Sequence, residues 1–228
     1  LEELKIVFDK TGAQAKLNVE DGDFVKKDAV VAEINGSIRS ILKGERLALN
    51  FICKMSGIAT ETKKLVDKCK AINPEVEVAA TRKTTPGFRK YEKKAVVLGG
   101  GKAHRYGLYD AVLIKDNHLK CAGSVDRVIE RIKRKITDKT IEIEVENEHD
   151  ACTAAEMGVD VIMLDNFNPT DGEMLAKKIR DINDKVLIEM SGGITPGNID
   201  SYASFADRIS LGYLTHSIEA RDFSLEIV

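Results

Sequence analysis

From Pro74 onward the chain repeats one rhythm, a short apolar run followed by a longer amphipathic one. The runs Val76–Ala80, Ala111–Ile114, Ile141–Val145, Val159–Leu164, Val186–Met190 and Arg208–Leu211 read as strands. Val125–Ile136, Ala151–Met157, Gly172–Ile182 and a short stretch around Asn198–Tyr202 read as the helices between them. Strands that are apolar nearly throughout belong in a parallel sheet covered by helices, because a half-solvated strand alternates instead. Six such units with short loops predict a complete or partial βα barrel of the α/β class. A doubly wound sheet fits the same rhythm and is the alternative.

Upstream of Pro74 the pattern differs. Through about Leu42 the chain alternates and turns like strands, with Asp21-Gly22 between apolar runs as a hairpin signal. Glu45 to about Ile72 has helical spacing at Leu47, Phe51, Met55, Ile58, Leu65, Val66 and Cys69. Gly57 interrupts that stretch, which predicts either one kinked helix or two. Cys53, Cys69, Cys121 and Cys152 form no CxxC pair, so they read as reduced thiols of a cytosolic protein rather than a disulfide framework or zinc site. No apolar run approaches the ~20 residues of a membrane span.

In parallel βα folds, sites lie at the C-terminal ends of the strands. Those ends are polar in all six units: Arg82 and Lys83, Lys115 to His118, Glu144 and Glu146, Asp165-Asn166, Glu189 with Ser191-Gly192-Gly193, and Gly212. With 35 Lys and Arg against 37 Asp and Glu, the net charge is −2. That argues against nucleic acid or a membrane surface as partner. It does not argue against a local cationic site. Arg82, Lys83, His104, Arg105 and Lys115 gather cations within a short span, and guanidinium forks pair two-point with carboxylate or phosphate. Glu144 and Asp165 end adjacent strands, where carboxylates beside a polyanion hold Mg²⁺ or act as counter-ions to those cations. Ser191-Gly192-Gly193 and Gly212 let backbone N–H groups approach phosphate closely, or merely form turns. The residues alone thus describe a barrel-like enzyme for an acidic and a phosphorylated substrate.

The strings themselves are more specific. ERLALNF (Glu45–Phe51), SGIAT (Ser56–Thr60), TRKTTPGFR (Thr81–Arg89), GGGKAHRYGLYD (Gly99–Asp110), LIKDNH (Leu113–His118), EIEVEN (Glu142–Asn147), IMLDN (Ile162–Asn166), SGGI (Ser191–Ile194) and LTHS (Leu214–Ser217) occur in this order. Together they resemble the carboxylating nicotinate-nucleotide pyrophosphorylases, or quinolinate phosphoribosyltransferases, across essentially the whole chain. The resemblance implies a smaller N-terminal α/β sandwich domain (1–44) and an incomplete, open parallel α/β barrel (45–219), with 220–228 able to return to the first domain. Relative to the family, the start of the N-terminal domain is expected to be missing.

The resemblance also implies the reaction. Quinolinate and phosphoribosyl pyrophosphate give nicotinate mononucleotide, CO₂ and pyrophosphate with Mg²⁺, in a cytoplasmic homodimer or dimer-based higher oligomer. Arg82, His104, Arg105 and Lys115 would grip the quinolinate carboxylates, with Arg46 reaching across from the partner subunit. Lys83 would bind the phosphorylated substrate or leaving pyrophosphate, and Glu144 and Asp165 would serve metal and ribose. Ser191, Gly192, Gly193, Gly212 and His216 would surround the 5-phosphate, with a helix-capping role as the alternative for His216. No covalent enzyme nucleophile is expected. The competing readings are the molybdenum-locus paralogue of the family, an aldolase-like barrel enzyme using Lys115 as a Schiff base, and a biotinyl/lipoyl-type binding module built on DGDFVKKDAVVAEINGSI.

Overall fold

The computed structural model describes residues 1–228. The chain opens with α1 (Glu2–Thr11), β1 (Gln14–Leu17), β2 (Ala32–Asn35) and the long α2 (Ile38–Lys70). Then follow β3 (Glu77–Ala80), α3 (Arg89–Leu98), β4 (Val112–Ile114), α4 (Asp116–Ala122), α5 (Val125–Lys133) and β5 (Ile141–Val145). The remainder is α6 (Glu148–Glu156), β6 (Val161–Asp165), α7 (Pro169–Ile182), β7 (Leu187–Ser191), α8 (Asp200–Ala203), β8 (Arg208–Leu211) and α9 (Tyr213–His216). No helix is long and apolar enough to cross a membrane.

All six expected strands are present in one parallel sheet of order β3-β8-β7-β6-β5-β4. Beyond β3, Lys102 adds a single parallel bridge to Ala79. No ladder joins that edge to β4, so the barrel stays open there. A cluster of 38 buried apolar residues packs sheet against helices, with Ile143, Ile162, Leu164, Ile188, Met190 and Ile209 on the helix-facing side of the strands. Residues of opposite phase, Glu142, Glu144, Asp165 and Glu189, point into the barrel, because successive strand side chains alternate faces.

The N-terminal part differs from its expectation in three ways. Glu2–Thr11 is a helix, not a strand, because Leu4, Val7 and Phe8 at helical spacing bury one face. The strand pair is Gln14–Leu17 with Ala32–Asn35, and Phe24 and Val30 in the long connection are exposed rather than paired. The long helix begins at Ile38, where Ser37 caps it by accepting from the Ser40 N–H, and it passes through residue 44 and Gly57 without a break.

Helix α2 serves both parts. Ala48, Leu49 and Ile52 join Leu4, Val7, Phe8 and Ala13 in a small separate core, whereas Met55, Ile58, Leu65, Val66 and Cys69 belong to the large one. The C-terminal segment crosses back over this helix, and Phe223 and Leu225 pack against the small core. The Arg221 N–H donates to the Cys53 carbonyl at 2.9 Å, and its guanidinium meets Glu61.

Gly57 permits this crossing. A Cβ there would lie 2.3 Å from the Glu219 carbonyl oxygen and 3.1 Å from Ala220 Cα. In an ordinary helix interior, Gly→Ala gains about 1 kcal/mol. Here Gly57→Ala is expected to lower the melting temperature and to speed proteolysis after residue 217, because the crossing backbone must lift away. A stabilised variant with an uncut C-terminus would contradict this packing.

Candidate active site

The open ends of the strands gather two groups of side chains. The first lies over β3, β4 and β5. Arg82 and Arg105 are half-buried, and the buried Arg82 Nε has no hydrogen-bond partner. Lys115, at the end of β4, is exposed and pairs with Glu144 at the end of β5. A cluster of cations with an orphaned buried donor is a site short of an anion, since buried donors are otherwise nearly always satisfied.

The second group spans β6, β7 and β8. Asp165 and Ser191 are register partners on β6 and β7. Gly192 and Gly193 follow with φ of 79° and 62°, a left-handed pair that an L side chain rarely adopts. A Cβ at Gly192 would strike Asn166 at 2.4 Å, whereas one at Gly193 would meet nothing within 4 Å, so the loop opens on that side. Lys83 reaches over to this group. A Cβ on Gly212 would lie 3.2 Å from Lys83 Cδ and 2.6 Å from His216 Nε2. Thr215, which the sequence reading missed, donates to the Lys83 carbonyl at 2.7 Å and so ties the β3 loop to α9. His216 closes α9, exposed, with Nδ1 2.6 Å from Ser217 Oγ.

Asp165 sits between the groups. Burial pushes its carboxyl above the usual aspartate range, and the neighbouring Glu144 adds to that, against the pull of Lys115 and Lys83. Glu144 pairs with Lys115, whereas Asp165 pairs with no cation. Its carboxylate accepts a hydrogen bond from the Asn166 side-chain amide at 2.7 Å. Arg46 is exposed on α2, and no polar contact links it to the rest of the site.

His104 is placed differently from the expected carboxylate grip. Its Nε2 faces inward, 3.3 Å from Glu189 and 3.4 Å from Glu142, both buried. Glu189 also accepts from Arg208 at 3.2 Å, and Arg208 in turn bonds Glu77 at 3.1 Å. The sequence hid this chain, since Glu142 lies within a strand that reads as apolar and Arg208 opens another. Burial alone would lower the pKa of the imidazole. Its hydrogen bonds to Glu142 and Glu189 more than reverse that and push it up to about 9. The Arg105 N–H lies 2.8 Å from Nδ1, a contact suited to the neutral ring. The carboxylates outweigh it: a neutral ring would leave Glu142 without any cationic partner, a larger cost than one weakened backbone contact.

His104 is therefore expected to titrate near 9 by NMR, rather than near its ordinary 6.5. Because the folded value is raised, the stability it contributes is complete below about 6.5 and is lost as pH rises through about 9. Glu142→Gln should bring the midpoint down. A ring already neutral at pH 7 would refute the assignment.

Comparisons with known proteins agree with one another. The profile of the quinolinate phosphoribosyl transferase N-terminal domain matches residues 1–56, and that of the C-terminal domain matches residues 58–226. The probable carboxylating nicotinate-nucleotide pyrophosphorylase of Archaeoglobus fulgidus is 48% identical over 99% of this chain and 88% of its own length. The human carboxylating nicotinate-nucleotide pyrophosphorylase is 38% identical over 97% of this chain and 75% of its own. The crystal structure of NadC from Streptococcus pyogenes superposes with a TM-score of 0.91 at 38% identity, covering 99% of this chain and 80% of that one. With both domain profiles matched and the open barrel shared, the chain belongs to the quinolinate phosphoribosyl transferase family and is an enzyme of that family.

Proposed function

We propose that the two groups of side chains are the two substrate grips of a carboxylating nicotinate-nucleotide pyrophosphorylase. The enzyme transfers phosphoribosyl from phosphoribosyl pyrophosphate to the ring nitrogen of quinolinate, releasing pyrophosphate and CO₂ and forming the nicotinate mononucleotide needed for NAD biosynthesis. Arg82, Arg105 and Lys115 bind the quinolinate carboxylates. The observation that carries this reading is the buried Arg82 Nε, a donor without a hydrogen-bond partner, beside the guanidinium of Arg105. His104 lies beneath them as an imidazolium, clamped between glutamates. Lys83, Ser191, Gly192, Gly193, Gly212 and His216 cradle the phosphorylated sugar, with Thr215 fixing the loop of Lys83.

Glu144 and Asp165 would hold Mg²⁺. Hard carboxylate oxygens suit that ion, and a cation would relieve the mutual repulsion that helps to raise Asp165. When bound, the ion offsets the charge of the phosphorylated substrate. The side chains do the rest by orientation and charge. As pyrophosphate leaves C1 of the ribose, the cation of Lys83 stabilises the departing group. The pyridine nitrogen forms the new bond to C1 and becomes cationic. The carbon–carboxylate bond beside it then breaks, its electron pair stays on the ring carbon, and that carbon takes a proton. Arg82 and Arg105 hold the ring in place and exclude water from the carboxylates.

Ile38, Leu42 and Leu47 are exposed on α2, the helix that carries Arg46. Their exposure supports a homodimer, or an assembly of dimers, in which Arg46 completes the partner's quinolinate site. Four unpaired cysteines suit the reducing cytoplasm.

Arg105→Ala should weaken quinolinate by about 1.5–3 kcal/mol, roughly 10- to 150-fold, as expected for a charge-assisted bond. Phosphoribosyl pyrophosphate affinity should hold within about twofold, both read by calorimetry. Mixing Arg105→Ala with Arg46→Ala chains should restore up to about a quarter of the wild-type sites, because half the dimers are then hybrids with one intact site. Equal losses of both substrates, or no recovery on mixing, would remove the corresponding assignment.

A further inference from the structure

Helix α3 turns charge inward. Glu92 and Lys93 are fully buried, and Arg89 is half-buried one turn before Lys93. Arg89 donates from Nε to Thr84 Oγ1 at 3.0 Å, from Nη1 to the Tyr106 carbonyl at 2.9 Å and from Nη2 to the Arg82 carbonyl at 3.3 Å. The Lys93 ammonium donates to the Ala103 carbonyl and lies 5.5 Å from the centre of the Tyr106 ring. Glu92 accepts from the Thr85 N–H at 3.0 Å and from Thr85 Oγ1 at 2.8 Å, and pairs with Lys54 at 2.9 Å. One helix face therefore holds both segments that carry Arg82 and Arg105.

The second of those segments is strained. His104 has φ of 53°, left-handed and unusual for a residue other than glycine. Such a conformation persists only where its surroundings over-determine it. Lys93 fixes the carbonyl just before it. Asp110 accepts the N–H groups of Tyr106 at 2.6 Å and Gly107 at 3.1 Å just after it. The Lys93 ammonium accomplishes this at a cost. Burial, with Arg89, Arg105 and Arg82 nearby, lowers its pKa to about 8. Packing alone would be served as well by an apolar side chain of similar volume.

We propose that Lys93 is a positioning residue for the carboxylate grip. By holding the Ala103 carbonyl it sets the left-handed turn at His104 and aims Arg105 at the substrate, while Arg89 ties the same segment to the loop of Arg82. The proposal rests on reading Arg82 and Arg105 as that grip.

The test is Lys93→Met in the full chain, with calorimetric titration of quinolinate and of phosphoribosyl pyrophosphate separately. Quinolinate should weaken by about tenfold or more, phosphoribosyl pyrophosphate by less than about twofold, and the melting temperature should not fall. Lys93→Gln, which keeps an N–H donor, should recover part of the loss. Unchanged quinolinate affinity, or a parallel loss of both ligands with a lower melting temperature, would overturn the proposal. If Lys93→Met does not fold, Arg89→Gln is read by the same criteria. Arg105→Ala, measured alongside, separates the failures. If it keeps quinolinate, the reading of the grip is wrong. If it loses quinolinate while Lys93→Met does not, only the role of Lys93 is wrong.

Discussion

Two carboxylates buried inside the barrel govern the arrangement of everything above them. Glu142 and Glu189 are 2% and 0% exposed, and a carboxylate removed from water without compensation is among the most costly features a fold can contain. The compensation comes from cations that must therefore stand at fixed places. Arg208 meets Glu189 from the adjacent strand, and His104 meets both glutamates from the loop beyond Lys102. Drawing His104 inward pins its loop across the open end of the barrel, and the next residue, Arg105, is left facing the cleft. Charge inside the barrel thus positions charge at its mouth.

This accounts for a division of labour along the sheet. The cationic group stands over β3, β4 and β5, on both sides of the opening in the barrel, and side chains from α3 hold the segments that carry Arg82 and Arg105. The other group lies over β6, β7 and β8, where Gly192 and Gly193 after β7 adopt left-handed backbone. Asp165 and Glu144 lie where the two meet, and Lys83 crosses from one side to the other. A barrel left open between Lys102 and β4 frees the loop that follows Lys102 to carry His104 and Arg105, which a closing strand ladder would constrain.

The barrel was legible in the sequence because its strands face helices with apolar side chains, and Arg82, Lys83 and Lys115 were legible because they directly follow strands. Helix α3 was not, because its buried face carries Glu92 and Lys93, where periodicity looks for apolar residues. Helix α1 was not, because Ile6-Val7-Phe8 reads as a strand until Leu4 is counted with Val7 and Phe8 as one helical face. Gly57 looked like a break because its reason lies about 160 residues away, in the Glu219–Ala220 backbone that presses on it. The partners of His104 were hidden for a similar reason. Glu142 and Glu189 alternate with Ile143, Ile188 and Met190, and nothing local says that the polar phase of these strands is enclosed.

The central claim is that one rim binds two anionic substrates and couples sugar transfer to loss of a carboxylate. Its most direct measurement is product stoichiometry with quinolinate, phosphoribosyl pyrophosphate and Mg²⁺. The account predicts nicotinate mononucleotide, pyrophosphate and CO₂ in equal amounts, with none of them formed when either substrate is withheld. Pyrophosphate release without matching CO₂, or no turnover at all, would contradict it.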